Sequence, residues 1–258
     1  MTVLESILDI LAAMTVEGAT GKQLEAQAAN LMKVFKVEPA FLGYKPNGFK
    51  GNAYPSVMCV SINEEVIHGI PDERPFEDGD VIKLDIGTKD TEGQYDDGAT
   101  TILIGKGSGI ARRLLKATQE ALQAGIHMAK PGNTTHDIGK AIEAVAKREE
   151  LAVIHGYGGH GIGTELHMEP FIPNEVTYHM EKREDWKPMG HPDRPSNRSD
   201  YHAIVPDIAP VKLEKGMRIA IEPMFATKRG DTKIGSDGWL IRLAGGGLAA
   251  HFEKTITV

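Results

Sequence analysis

VIKLDIGTKDTEGQYDDGATTILIG, residues 81–105, alternates apolar and polar residues on either side of a turn near Thr91–Gly93. That pattern reads as a β-hairpin. Asp85 interrupts a run of Val, Ile and Leu in its first arm, and Asp97 lies across the turn in the second. A carboxylate inside such a strand is costly to bury unless it is paired, hydrogen-bonded or bound to a cation. Each Asp alone is compatible with a structural role. If both point to one sheet face, they either share a proton or bind cations.

Outward from the hairpin, two segments resemble each other: AAMTVEGATGKQLEAQAANLMKVFKV (12–37) and HMAKPGNTTHDIGKAIEAVAKREEL (127–151). Each ends one helix-like stretch, turns through Gly and Thr, and opens a second helix. In the later copy Ile138, Ile142, Val145 and Ala146 share a helical face, with Thr134 or Thr135 as N-cap. Ile110, Leu114, Leu122 and Ile126 form a stripe before it. Any two amphipathic helix pairs share such a pattern, so internal duplication stays open. SVMCVSINEEVIHGI reads as an earlier hairpin, and MRIAIEPMF, GWLIRLA and HFEKTITV as later strands. Helices, strands, helices, strands is the order of an α+β fold. Residues 175–210 are polar, proline-rich and aperiodic; a stretch this long reads as a surface insertion beside a site.

The whole chain of 258 residues reads as one catalytic domain. A formal net charge of −7 argues against a dominant nucleic-acid or anionic-membrane surface. The single cysteine, Cys59, excludes an intrachain disulfide and fits a reducing compartment. The opening MTVLESILDILAAM lacks a basic n-region, and no apolar run nears the ~18 residues that span a bilayer. The expectation is a cytoplasmic protein with no membrane contact.

GYGGHGIGTELHMEP (156–170) sets His160 among glycines, with His167 seven residues on. Residues 156–161 satisfy G-x-G-x-x-G, but a dinucleotide site needs a helix to open directly afterwards. The proline and missing helical stripe rule that out. IAIEPMF places Glu222 at the end of an apolar strand, and AAHFEKTITV places Glu253 inside the last one. Asp85, Asp97, Glu222 and Glu253, together with His160, all stand at strand positions. Hard oxygen donors with one imidazole suit two divalent ions bridged by carboxylates, which activate water and polarise a carbonyl. H-E-x-x-H and G-x-S-x-G are absent. A Cys59–His68 nucleophile–base pair is disfavoured because Cys59 sits in an apolar strand, where it packs as a small hydrophobe.

In this order the segments YPSVMCVSINEEVIHGIPD, EDGDVIKLDIG, GHGIG, IEPMF and FEKT resemble the methionine aminopeptidases of the creatinase/aminopeptidase superfamily, over nearly the whole chain. The resemblance implies the pita-bread fold: two pseudo-two-fold αβ halves around a central curved antiparallel sheet. It implies metal ligation by Asp85, Asp97, His160, Glu222 and Glu253, with Glu222 accepting the proton of the attacking water. His68 and His167 match residues that contact the substrate and stabilise the tetrahedral intermediate or leaving amine. Tyr54, Cys59 and Trp239 match the methionine pocket of the bacterial-type (type I) subgroup. Type II enzymes carry a helical insertion for which the Glu222–Glu253 interval leaves no room.

The cofactors so implied are two divalent ions among Co, Mn, Fe, Zn and Ni. The implied substrates are N-terminal peptides of nascent proteins, with a ribosome contact and a monomeric state expected. Three departures qualify the match. The hairpin has one extra residue, so counting from Asp85 favours Asp96 as second ligand and counting from the following strand favours Asp97; turns absorb insertions, and Asp97 is chosen. KPNGFKGNA (45–53) lengthens the connection between Tyr44 and Tyr54, and the 175–210 insertion follows His167 closely. Two alternatives stand beside the main reading: an X-Pro-type aminopeptidase, and a catalytically silent binding protein on the same fold.

Overall fold

The computed structural model describes residues 2–46, 48–176 and 209–258. Nearly all of the expected 175–210 insertion lies outside the described residues. In the first half come α1 (Val3–Met14), α2 (Gly21–Phe35), β1 (Glu38–Pro39), β2 (Cys59–Ile62), β3 (Glu65–Ile67), β4 (Val81–Lys89) and β5 (Tyr95–Leu103). In the second come α3 (Gly109–Met128), α4 (Thr135–Arg148), β6 (Ala152–Val153), β7 (Gly158–Gly161), β8 (Met168–Pro173), β9 (Arg218–Ile221), β10 (Met224–Ala226), β11 (Thr232–Ile234), β12 (Ile241–Leu243), β13 (Ala249–His251) and β14 (Glu253–Thr257). Among the described residues no helix is long and apolar enough to cross a membrane.

The main sheet runs β1-β4-β5-β14-β9-β7-β8, with β2 also on β4, and its pairings are antiparallel. The β5–β14 ladder joins the halves. Each helix pair covers its own half of one sheet face. Leu4, Ile7, Leu11, Leu24 and Met32 pack on Ile82, Leu84 and Ile86. Leu114, Ala121, Ile138 and Ile142 pack on Ile219 and Ile221. Period-two alternation then sends Asp85 and Gly87 of β4, and Ala220 of β9, to the opposite face. Burial against the helices therefore fixes which face carries the polar groups.

The two halves repeat each other in detail. Thr20 caps α2 with Gln23 in a capping box, and Thr134 caps α4 with Asp137 in another; each such cap stabilises its helix by about 1 kcal/mol. Gly18 N donates to Phe76 O at 2.8 Å and Phe76 N to Ala19 O at 2.8 Å. Likewise Gly132 N donates to Leu213 O at 2.9 Å and Leu213 N to Asn133 O at 2.7 Å. After Phe76 the chain turns through Gly79 (φ 95°) into β4; after Leu213 it turns through Gly216 (φ 94°) into β9. Aligning the turns sets FEDGDVIKLD (76–85) over LEKGMRIAIE (213–222), so Asp85 and Glu222 occupy matched positions. The likeness left open by the helices alone thus extends to a repeat of caps, hydrogen bonds and turns in the two halves.

Three sequence expectations need correction. β2 and β3 are joined by a turn at Asn63–Glu64, but β2 pairs with β4 and β3 with β12, so the segment passes the chain between sheets. Glu253 opens β14 instead of lying inside one strand, because the chain leaves β13 at His251 and restarts after Phe252. Ile110 is 37% exposed at the first turn of α3, outside the stripe its spacing suggested; Leu114 and Leu122 are buried.

Candidate metal centre and adjoining pocket

Strand register assembles the polar groups. Cys59 is opposite Asp85, Asp85 opposite Ala99, and Ala99 opposite Glu253, which makes one row across β2, β4, β5 and β14. The β14–β9 ladder pairs Lys254 with Ile221 and points Glu222 at the same row. Asp97 stands two residues before Ala99 on the same face. Ala99 has only a methyl group in the middle of the row, which leaves space between the carboxylates.

The glycines around His160 serve backbone approach. A Cβ on Gly159 would lie 2.0 Å from Ala220 O, and one on Gly161 would lie 2.1 Å from Glu169 O. Only glycine lets β7 settle between β8 and β9 there. His160 then sits with Nε2 3.7 Å from Glu222 Oε1 and 4.0 Å from Glu253 Oε1, and its Nδ1 lies 3.0 Å from Gly161 O. The next described element after these glycines is the strand β8 and not a helix, in keeping with the rejection of a dinucleotide site.

Among the described residues, three sets of donor atoms close within 4.8 Å: Asp85, Asp97 and Glu253; His160, Glu222 and Glu253; and Asp97, His160 and His167. Asp85 Oδ1 and Glu253 Oε1 are buried without a hydrogen-bond partner. Burial pushes the Asp85 carboxyl up to about 7, with Glu222 adding to the rise and His251 opposing it. It pushes Glu222 up to about 7 against the influence of His160. Asp97 and Glu253 are raised well above the carboxylate range by burial and by the neighbouring carboxylates. Orphaned oxygens in a repelling carboxylate cluster are what divalent cations would satisfy, so the donor set fits such ions.

Asp96 faces the other way. It is opposite Thr88, and its carboxylate lies 3.7 Å from Arg218 Nη2. Of the two aspartates that the sequence left in competition, Asp97 is the one within the cluster.

Beside the carboxylates lies an apolar cluster of Phe41, Tyr54, Cys59, Ile162, Leu166 and Trp239, which brings together the three residues that the resemblance assigns to a methionine pocket. Tyr54 OH donates to Gly69 O at 2.9 Å and packs edge-on to Trp239. Cys59 is buried, and desolvation raises its thiol well above the usual range, which suits a packing residue and not a nucleophile. Trp239 Nε1 donates to Asn52 O at 3.0 Å, and Phe49 packs on the indole with ring centroids 4.8 Å apart. The extra loop thus folds against this apolar cluster through Asn52 and Phe49.

His68 and His167 flank the cluster. His68 has φ 60°, rare for a residue with a Cβ, and its ring lies edge-on to Trp239. Burial, then His251, pushes its pKa down to about 4. The His167 ring packs on His160 at 4.4 Å, and Tyr44 OH lies 2.7 Å from its Nδ1. Burial pushes the Tyr44 phenol up to about 12, so it keeps its proton and can donate to Nδ1, the arrangement in which Nε2 of His167 carries hydrogen.

One residue at the site escaped the sequence reading. His251 is 1% exposed, with Nε2 3.5 Å from Glu222 Oε2 and 3.9 Å from Glu253 Oε2. It interrupts an apolar strand two positions before Glu253, the same signal that singled out the carboxylates.

The family model of Metallopeptidase family M24 matches residues 1–258. The methionine aminopeptidase of Aquifex aeolicus is 37% identical over 257 residues, covering 99% of this chain and 88% of that protein. Methionine aminopeptidase 1 of Bacillus subtilis is 35% identical over 241 residues, covering 93% and 82%. The crystal structure of the Thermotoga maritima methionine aminopeptidase superposes with a TM-score of 0.82 at 32% identity, covering 99% of this chain and 88% of that one.

Proposed function

The chain belongs to metallopeptidase family M24 and has its pita-bread fold; it is an aminopeptidase removing N-terminal methionine, and we propose that it does so with two divalent ions held by Asp85, Asp97, His160, Glu222 and Glu253. The observation that carries the reading is the ladder pair of Cys59 with Asp85. A pocket residue and a cluster carboxylate stand side by side, so a side chain seated in the pocket puts its own carbonyl carbon at the carboxylates. Residues 1–258 act as one catalytic unit in this reading.

Bound there, the ions would acidify a water and polarise the scissile carbonyl. The protein supplies the rest. Glu222 takes the proton of the attacking water and returns it to the leaving amine. His167, its tautomer set by Tyr44, and His68 donate hydrogen bonds to the carbonyl oxygen as charge develops there. Tyr54, Cys59 and Trp239 hold an unbranched thioether side chain, whose flexibility suits an irregular apolar pocket. The free α-amine lies nearest the carboxylate cluster, which restricts cleavage to the first residue. The substrates are N-termini of nascent proteins.

A peptide panel tests this. Met-Ala and Met-Gly peptides should lose methionine in the presence of Mn(II) or Co(II) and stay intact after chelation. Preferential cleavage of X-Pro peptides would replace methionine as the residue removed. Binding of fewer than one ion per chain, with no turnover, would identify a silent binding protein and overturn the reading.

A further inference from the structure

His251 is the polar group near the cluster that the proposed mechanism leaves unused. Its position is tightly specified. The β10–β13 ladder pairs it with Met224. Thr101 Oγ1 donates to His251 O at 2.5 Å, and His251 N donates to Thr101 Oγ1 at 3.0 Å. Both ring nitrogens are nevertheless buried without a hydrogen-bond partner. An unsatisfied buried donor destabilises the folded state, and a leucine at this place would avoid that cost. A ring held so firmly at such expense needs a compensating role.

Two of the site's imidazoles, His160 and His251, bracket the glutamates from opposite sides. His160 Nε2 faces the Oε1 atoms of Glu222 and Glu253 at 3.7 and 4.0 Å. His251 Nε2 faces the Oε2 atoms of the same two residues at 3.5 and 3.9 Å. Yet the donor sets that close within 4.8 Å draw on His160 and His167 and not on His251. Its geometry is that of a group that orients ligands, not of a ligand. Lys83, buried in the same strand as Asp85, does not compete for those oxygens: its Nζ donates to Asn63 O at 2.8 Å and Val81 O at 3.1 Å.

We propose that His251 is a positioning residue, whose Nε2–H holds the outer oxygens of Glu222 and Glu253 so that their inner oxygens converge with His160 on the cation. This rests on the metal-binding reading above. Partners of this kind, behind the carboxylates that bind an ion, are worth 10–100-fold in metal affinity.

Calorimetric titration of chelated protein with Mn(II) tests the proposal, using wild type, H251Q and H251L. H251L should bind the ion 10–100-fold more weakly, while the melting temperature of its chelated form stays equal or rises, because an unsatisfied polar ring is gone. H251Q, which keeps an N–H donor, should recover affinity to within a few-fold of wild type. With saturating Mn(II), KM for a Met-peptide should be unchanged, since His251 does not line the pocket. A merely structural role predicts the reverse: a lower melting temperature with unaltered metal affinity. Wild-type affinity in H251L would overturn the proposal. If H251L does not fold, H251N, whose shorter amide falls short of the carboxylates, replaces it; equal affinities in H251N and H251Q would then overturn it. Failure of the wild type to bind Mn(II) would instead overturn the metal-binding reading itself.

Discussion

Asp97 stands opposite Gly87 in the β4–β5 ladder, one inward-facing step from the Asp85–Ala99 pair. That register sets its carboxylate beside Asp85, while Asp96 is turned outward to Arg218. D97N should lower kcat/KM for a Met-peptide by more than about 100-fold, beyond what loss of an outer partner costs, and reduce bound metal. D96N should keep metal content and stay within a few-fold of wild type. Metal analysis and steady-state kinetics of the two variants check this; the opposite ranking would reassign the ligand.

Gly159 offers a second, purely steric test. An added methyl would meet the backbone oxygen of Ala220 at 2.0 Å, and backbone inside a sheet cannot swing away. G159A should destabilise the protein by about 1–3 kcal/mol and displace His160, so denaturant unfolding and metal affinity should fall together. G18A makes the contrast: nothing lies within 4 Å of its added Cβ, but its φ of 82° carries a conformational penalty. Its stability should drop with metal affinity intact.

The carboxylates make stability pH-dependent in the unusual direction. Asp85 and Glu222 hold protons up to about pH 7 in the folded chain, against about 4 in an unfolded one. The folded state therefore binds more protons between pH 4 and 7, and its stability falls as pH rises through that window. The melting temperature of chelated protein should be lower at pH 7 than at pH 5. E222Q should flatten the slope. Because ligands must lose protons to bind a cation, metal affinity should rise over the same interval, as calorimetry at both pH values would report.

Lys83 acts with the opposite sign. Burial pushes its pKa down to about 7, against about 10.4 in an unfolded chain. The unfolded state binds the extra proton between these values, so this contribution to stability grows as pH rises from 7 to 10. K83M should raise the melting temperature at pH 7, with a gain that shrinks by pH 9.5. Its two carbonyl partners would not be orphaned, since Asn63 O also accepts from Ala249 N and Val81 O from Asn63 N. A gain that grows with pH would contradict the assignment.

Local chemistry made much of this molecule legible before the coordinates. The turn at Gly93, the caps at Thr20 and Thr134 and the stripe through Ile138, Ile142 and Val145 depend on neighbours within a few residues. Asp85, Glu222 and Glu253 were visible because each breaks an apolar strand, and Asp97 and His160 because they stand at strand positions in segments that resemble the family's. Strand partners were not. Nothing around Asn63 indicates that Ile62 will pair with Ile82 while Glu65 pairs with Arg242. His251 carried the right signal, but histidine is a common satisfied core residue and attracted no weight. The matched turns at Gly79 and Gly216 were missed because their likeness is in backbone course and hydrogen bonding, with few shared side chains.

Those matched turns bear on descent. A single ancestral half, paired with its own copy, would present equivalent carboxylates to one another across a two-fold axis. Asp85 and Glu222 now hold those equivalent places with side chains one methylene apart in length. Among the five cluster residues, histidine comes only from the later half, as His160. The cradle is therefore lopsided, and its all-carboxylate corner and its imidazole-bearing corner would fill with ions at different concentrations.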